Sequence, residues 1–193
     1  MTAPDQPDNP GNRLNINETG GFWFFAYGSL MWDPPFTPTQ TQPARLYGYH
    51  RSFCVNSETY RGTPENPGLV LGLDRGGSCC GLVFRVAPQN VNDTIAYLDE
   101  REQVTKVYCP HFFDTKLKDG RMVKAYTFVV RREHEQYAGA MSLEEQARLV
   151  SQGVGQKGPA LDYLANTVGH IDELGIKDTD LHKVLKMARA FST

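Results

Sequence analysis

The order of strand-like and helix-like segments is the feature that most constrains how this chain can fold. Up to Val130 the sequence holds short runs rich in β-branched and aromatic residues, separated by Gly, Pro and Asn, as is typical of β-strands. The predicted strands are Phe22–Tyr27, Arg45–Val55, Leu69–Leu73, Gly81–Val86, His111–Lys116 and Val123–Val130.

Helical patterns interrupt this β-rich part once and then follow it. One helix is predicted at Asn90–Gln103, and a second begins at Ser142, where Ser142-Leu-Glu-Glu145 has the form of a capping box. Two more are predicted at Pro159–Val168 and Asp180–Arg189, in a region divided by Gly153, Gly155, Gly158 and Gly169. Strands first and helices last favour an α+β fold in which helices pack on a small barrel or a curled sheet.

Length and charge limit the classes of function. A chain of 193 residues is most simply one domain, predicted here at residues 22–193. Lys and Arg number 20 and Asp and Glu number 22, so no charge excess points to nucleic acid or a membrane surface. The alternating charges of residues 131–135 are typical of solvated surface.

The cysteines and the N-terminal residues bear on location. Cys54, Cys79, Cys80 and Cys109 form no CxxC pair and no secretory framework, which favours reduced thiols in a cytoplasmic protein. Residues 1–21 contain no apolar h-region, so we expect a disordered leader and neither a signal peptide nor a membrane anchor.

Glu102 is the acid that the helical pattern singles out. Val91, Ile95 and Leu98 fall at i, i+4 and i+7 of the predicted helix, and Glu102 is the next position on that apolar stripe. Glu100 faces the solvent side. A carboxylate on a buried face is costly unless it is paired or functional. Periodicity therefore leaves two interpretations of Glu102, a catalytic acid or a side chain at a frayed helix end that extends into solvent or pairs with an arginine.

Two turns are further candidates. The aromatic strand Phe22–Tyr27 runs into Gly28-Ser29-Leu30, where backbone N–H groups freed from the strand ladder form a nest for a carboxylate, or where glycine simply provides an unusual φ in a loop. Arg61, in Tyr60-Arg-Gly-Thr-Pro64, presents a guanidinium that suits a carboxylate.

Other chemical motifs do not occur in the sequence. It has no GxGxxG after a strand and no P-loop lysine, so a nucleotide cofactor is not indicated. The five histidines show no metal-ligand spacing, and Ser29 lacks the GxSxG context of a hydrolase nucleophile. We expect no metal and no cofactor.

Taken together, the motifs resemble the ChaC family of glutathione-specific γ-glutamylcyclotransferases in order and spacing. The resemblance extends over about residues 22–189. It is carried by Tyr27-Gly-Ser-Leu30-Met-Trp32-Asp-Pro-Pro35, Tyr60-Arg-Gly-Thr-Pro64-Glu-Asn-Pro-Gly68, Cys79-Cys-Gly81-Leu-Val-Phe-Arg-Val86, Tyr97-Leu-Asp-Glu-Arg-Glu102 and Gly158-Pro-Ala-Leu-Asp-Tyr163-Leu164.

The resemblance implies a γ-glutamylcyclotransferase-like barrel with packed helices and an activity on a small molecule. In that reaction the α-amine of glutathione attacks its own γ-carbonyl, which releases 5-oxoproline and cysteinylglycine. By the same resemblance Glu102 is the general base and acid, Tyr27, Gly28, Ser29 and Leu30 hold the γ-glutamyl group, and Arg61 and Tyr163 are further substrate contacts.

Departures from the family pattern leave the substrate open. Tyr60 stands where a histidine is usual, Leu69 where an arginine often follows Pro-Gly, and Cys80 where the family has tryptophan. The same cyclisation of γ-glutamyl amino acids or amines is therefore an alternative. A γ-glutamyl-binding protein without catalysis is another, because fold does not fix function. The sequence leaves the oligomeric state open.

Overall fold

Five strands close into a barrel. The computed structural model describes residues 21–102 and 106–192, and the side chain of Glu102 lies outside that description, as do residues 1–20 of the predicted leader. The strands are β1 (Phe22–Ala26), β2 (Gln40–Ser57), β3 (Gly68–Val86), β4 (Tyr108–Leu117) and β5 (Met122–Val130), in the order β1-β3-β2-β4-β5. The predicted α+β barrel with packed helices is confirmed.

Strand β1 closes the barrel because it pairs on both edges. It is antiparallel to β3, with Phe24 opposite Phe84, and parallel to β5, with Phe24 opposite Tyr126. Both of its faces are also buried: Phe22 and Phe24 pack in a cluster shared with the helices, while Trp23 and Phe25 pack in a second cluster built from strand residues. Successive side chains of a strand point to opposite faces, so double burial explains the run of aromatic residues.

The prediction of two separate strands at 69–73 and 81–86 was wrong, because both belong to β3. Residues between them continue to pair with β2, as Asp74 with His50 and Ser78 with Tyr47. Gly76 and Gly77, in the stretch between the two predicted strands, have positive φ and accompany a shift of register. A local bulge therefore interrupts one continuous strand where two strands were predicted.

In the described part of the chain, four α-helices complete the fold. They are α1 (Val91–Glu102), α2 (Leu143–Gln152), α3 (Ala160–Glu173) and α4 (Thr179–Phe191). Two short strands, β6 (Val154–Gly155) and β7 (Gly158–Pro159), form a hairpin between α2 and α3. The capping box of Ser142 and Glu145 is confirmed. Gly169 does not divide the C-terminal region, since α3 continues through it.

All four cysteines are free thiols, and three of them are buried. Burial, with a smaller contribution from the charge of Asp74, raises the pKa of Cys54 to about 12. Burial likewise raises the pKa of Cys79 to about 11. Cys109 is buried as well, and Cys80 is half-buried.

None of the helices in the described ranges is both long enough and apolar enough to span a membrane.

Candidate active site

The predicted binding residues meet at one cavity of about 340 Å³. Its wall combines the end of β1, the connection after β2, the end of α1, part of β5 and the first turns of α3. All six predicted binding residues line it, namely Tyr27, Gly28, Ser29, Leu30, Arg61 and Tyr163.

The turn after β1 is a short 3-10 helix, Ser29–Met31. Met31 N donates to Gly28 O at 2.9 Å, and no side chain caps the start of the helix. The first N–H groups of a helix have no intrahelical acceptor, so those of Ser29 and Leu30 suit an anion at the cavity wall.

Glycine at position 28 is not explained by an unusual φ. Its φ of −132° lies outside the left-handed region that favours glycine. A Cβ atom there would lie 3.5 Å from Tyr163 Oη and 3.9 Å from Leu71 Cδ1. The missing side chain therefore leaves space between the turn and Tyr163.

Arg51, which the sequence analysis did not single out, fixes the end of β1. Its side chain is 3% exposed. The guanidinium donates to Tyr27 O at 2.6 Å, to Cys80 O at 2.7 Å and to Asp178 Oδ2 at 3.1 Å. Asp178 also caps α4 by accepting from Leu181 N. One buried arginine thus ties the turn to the loop that precedes the last helix.

Helix α1 brings its last turn to the same place. Arg101 Nη2 donates to Ser29 Oγ at 3.2 Å, and Arg101 lines the cavity. Val91 and Leu98 are buried and Glu100 is exposed, as the apolar stripe predicts. Glu102 is the last residue of α1, and its side chain is outside the described part of the chain. Arg101 follows Leu98 by three residues, so the same helical spacing could have identified it.

Arg61 is engaged by the β6–β7 hairpin. Its Nη1 donates to Lys157 O at 2.5 Å and to Pro159 O at 3.2 Å, and its guanidinium lies 5.3 Å from the centre of the Tyr163 ring. The backbones are in close contact here, since a Cβ on Gly153 would lie 2.4 Å from Gly68 Cα. Arg61 therefore orients both the hairpin and Tyr163.

Asp74 is a buried acid on β3. Arg132 Nε and the Tyr137 hydroxyl donate to it at 2.6 and 2.9 Å, and Arg75 N donates at 2.8 Å. Burial alone would raise the pKa of Asp74, but these hydrogen bonds hold it below its ordinary value. Burial and the bond to Asp74 raise the pKa of Tyr137 to about 12. The cluster anchors the loop that follows β5.

Solved structures and curated relatives agree on the class of protein. A yeast γ-glutamyl cyclotransferase specific to glutathione superposes with a TM-score of 0.82 over 89% of this chain and 97% of its own, at 22% identity, which gives the fold. The fold is thus that of the γ-glutamylcyclotransferases, as predicted.

The sequence comparisons identify the family. Residues 22–191 match the family model described as ChaC-like protein. The glutathione-specific γ-glutamylcyclotransferase of Escherichia coli K12 is 32% identical over 87% of this chain and 73% of its own. The γ-glutamylcyclotransferase 2-3 of Arabidopsis thaliana is 30% identical over 82% and 85%. The chain belongs to the ChaC family.

Proposed function

We propose that this protein is a γ-glutamylcyclotransferase that cleaves glutathione to 5-oxoproline and cysteinylglycine. The observation that carries the proposal is the convergence of the family motifs on one cavity, where the turn Tyr27–Leu30 meets the end of α1 through Arg101 and Ser29. Curated relatives from bacteria, fungi and animals are named glutathione-specific γ-glutamylcyclotransferases, and a plant relative is named a γ-glutamylcyclotransferase.

The turn is proposed to bind the γ-glutamyl group. The α-carboxylate would accept from the N–H groups of Ser29 and Leu30, and the Arg101 guanidinium beside Ser29 would add positive charge. The space above Gly28 admits the bent chain of the substrate, and Tyr27 closes the pocket on that side. Held in this way, the α-nitrogen reaches the carbon of the γ-carbonyl group.

Cyclisation then needs geometry more than a protein nucleophile. The α-nitrogen bonds to the carbon of the γ-carbonyl group and closes a five-membered lactam, while the bond from that carbonyl carbon to the cysteinyl nitrogen breaks. Near-attack positioning of this kind is worth on the order of 7–11 kcal/mol in model reactions.

Glu102 is proposed to move the proton. The α-ammonium group must lose a proton before attack, and the leaving cysteinyl nitrogen must gain one, so a single carboxylate can serve as base and then as acid. The position of Glu102 at the end of α1, next to Arg101, supports this role.

Arg61 and Tyr163 are proposed to contact the substrate from the opposite wall. The Arg61 guanidinium donates through Nη1 to two carbonyl groups, and we propose that its other N–H groups donate to the far carboxylate of glutathione while the cation orients the Tyr163 ring. Tyr163 Oη lies close to the turn, where it can donate to the γ-glutamyl group.

A cytoplasmic location is proposed on the state of the cysteines. Four free thiols, three of them buried, suit a reducing compartment.

The test is release of 5-oxoproline from glutathione by the purified protein and by the variants Glu102→Gln and Glu100→Gln. Glu100 is the matched control, since it lies on the same helix with an exposed side chain. We expect Glu102→Gln to lose at least ~100-fold in kcat, the scale of general acid–base catalysis. Glu100→Gln should stay within about twofold of the parent.

Three other results would change the proposed residue, substrate or activity. Equal activity of the parent and Glu102→Gln would show that another group transfers the proton. Turnover of γ-glutamylalanine faster than of glutathione would assign the same reaction to a different substrate. Binding of γ-glutamyl compounds without release of 5-oxoproline would overturn the enzyme assignment.

A further inference from the structure

Two adjacent cations, Arg61 and Lys157, lie on the wall of the cavity. Both residues line it, and Arg61 Nη1 donates to Lys157 O at 2.5 Å. Lys157 is exposed and Arg61 is half-buried. A ligand that enters from solvent can therefore contact both side chains.

The β6–β7 hairpin fixes the position of Lys157. Lys157 N donates to Tyr60 O at 2.9 Å, and Gln156 N donates to Thr59 O at 2.9 Å. The lysine side chain lies over the ring of Tyr60, with Nζ 4.6 Å from the ring centre. An aromatic face attracts a cation in this position. Tyr60, one of the departures from the family pattern, therefore supports a lysine at the cavity wall.

Neither cation has a carboxylate partner among the described residues. The salt bridges within the described ranges involve other side chains. Arg61 donates to neutral carbonyl groups, and Lys157 contacts a neutral ring. Glu58 is an exposed acid that also lines the cavity, so two positive charges face one negative charge in this region. The excess positive charge favours an anionic group on the ligand.

The distance across the cavity fits the length of glutathione. A Cβ placed on Gly28 would lie 3.5 Å from Tyr163 Oη, and Arg61 Cζ lies 5.3 Å from the centre of the same ring. With the length of the ring included, Arg61 Cζ is at most about 12 Å from the cavity side of Gly28. A guanidinium carbon lies roughly 4 Å from the carboxylate carbon that it binds, which leaves about 8 Å for the ligand to cover.

A tripeptide extends to about 10 Å, so a γ-glutamyl group held at the turn allows the glycyl carboxylate to reach Arg61. Lys157 begins at the carbonyl group that Arg61 contacts, and its ammonium group is carried on a flexible four-carbon stem. The same carboxylate is therefore within reach of both cations.

We propose that Lys157 is a specificity-determining residue that binds the glycyl carboxylate of glutathione together with Arg61. This inference rests on the proposed function and deepens it, because it defines the end of the leaving group that the site selects. The preferred leaving group ends in a carboxylate. Simple amines lack that charge, so γ-glutamylamines should be poor substrates.

The experiment compares glutathione with its glycinamide analogue, in which a neutral carboxamide replaces the glycyl carboxylate. The parent should prefer glutathione by about tenfold or more in kcat/KM, since charge-assisted hydrogen bonds are lost with the amide. Lys157→Met should reduce that preference to about threefold or less, because Arg61 alone remains. Its kcat/KM for the amide should stay within about twofold of the parent, since the amide offers the lysine no charge. Lys157→Arg restores a cation and should restore the preference.

Lys186→Met is the matched control. Lys186 is likewise exposed, but it lies on α4, outside the set of residues that line the cavity. This variant should keep the preference of the parent. An unchanged preference in Lys157→Met, equal losses with both substrates, or no preference in the parent would overturn the proposal. If the parent releases no 5-oxoproline from either compound, the proposed function fails separately, and calorimetric Kd values of the same two ligands for the parent and Lys157→Met decide the role of Lys157.

Discussion

Replacing Arg51 by methionine should destabilise the fold more than the loss of an exposed ion pair would. The guanidinium is buried and serves three acceptors, the carbonyl groups of Tyr27 and Cys80 and the carboxylate of Asp178. Methionine keeps most of the apolar stem, so the loss is mainly electrostatic. Breaking a buried pair by removing one partner costs about 3–5 kcal/mol, much of it from the acceptors left without a donor.

Asp178→Asn serves as the matched variant on the other side of the pair. Asparagine caps a helix as well as aspartate does, so the bond to Leu181 N survives. The Asp178 side chain is 20% exposed, and Arg51 keeps its two carbonyl acceptors. We expect a loss of about 1 kcal/mol, near the upper end of values for partly solvated pairs.

Urea unfolding followed by tryptophan fluorescence measures both losses. With a slope of about 2 kcal/mol per molar, Arg51→Met should lower the midpoint by roughly 2 M and Asp178→Asn by about 0.5 M. A shift for Arg51→Met no larger than that for Asp178→Asn would refute the reasoning, because the two carbonyl bonds would then contribute nothing.

Two further predictions concern a close backbone contact and a buried acid. Gly153→Ala places a Cβ 2.4 Å from Gly68 Cα, so it should lower stability by about 1–3 kcal/mol and raise KM. Gly169→Ala in α3 is the control: its Cβ meets no atom within 4 Å, so it should raise stability by about 0.5–1 kcal/mol. Differential scanning calorimetry measures the Tm of both variants. Similar Tm changes would contradict the claim that a side chain at position 153 clashes with Gly68. Because hydrogen bonds lower the pKa of Asp74, its stabilising effect is present above about pH 4 and disappears as the pH falls through the lowered folded-state pKa. The difference in unfolding free energy between the parent and Asp74→Asn, measured in urea titrations, should therefore narrow below pH 4. A difference that stays constant with pH would contradict a lowered pKa of Asp74 in the folded protein.

Local patterns in the sequence were sufficient for much of the fold and for most of the cavity residues. The apolar stripe of α1 and the capping box of α2 depend on neighbours within four residues, and both occur as predicted. The six predicted binding residues line one cavity because short motifs mark the turn, the Arg61 connection and the start of α3. Their roles toward a substrate remain predictions.

Contacts between distant segments were not predictable in this way. Arg51 and Asp178 are 127 residues apart, and in the sequence Arg51 resembles an outward-facing strand position. The alternating charges of residues 131–135 are mainly exposed, as predicted, yet Arg132 also reaches the buried Asp74. Gln136 follows that run, and no local pattern distinguishes it from a surface glutamine, because its burial depends on pairing with Asn56.

The burial of the cysteines affects how readily they would react with glutathione disulfide, the oxidised form of the proposed substrate. Exchange with glutathione disulfide requires a thiolate that can reach the disulfide sulfur. With pKa values of about 12 and 11, Cys54 and Cys79 are ionised at pH 7 only to the order of one part in 10⁵ and 10⁴. Neither thiol is accessible, and Cys109 is buried too. Cys80, which is half-buried, is therefore the most accessible of the four thiols for a mixed disulfide. Its carbonyl accepts a hydrogen bond from Arg51, which also holds Tyr27 O, so glutathionylation of Cys80 would disturb the residue that fixes the turn after β1.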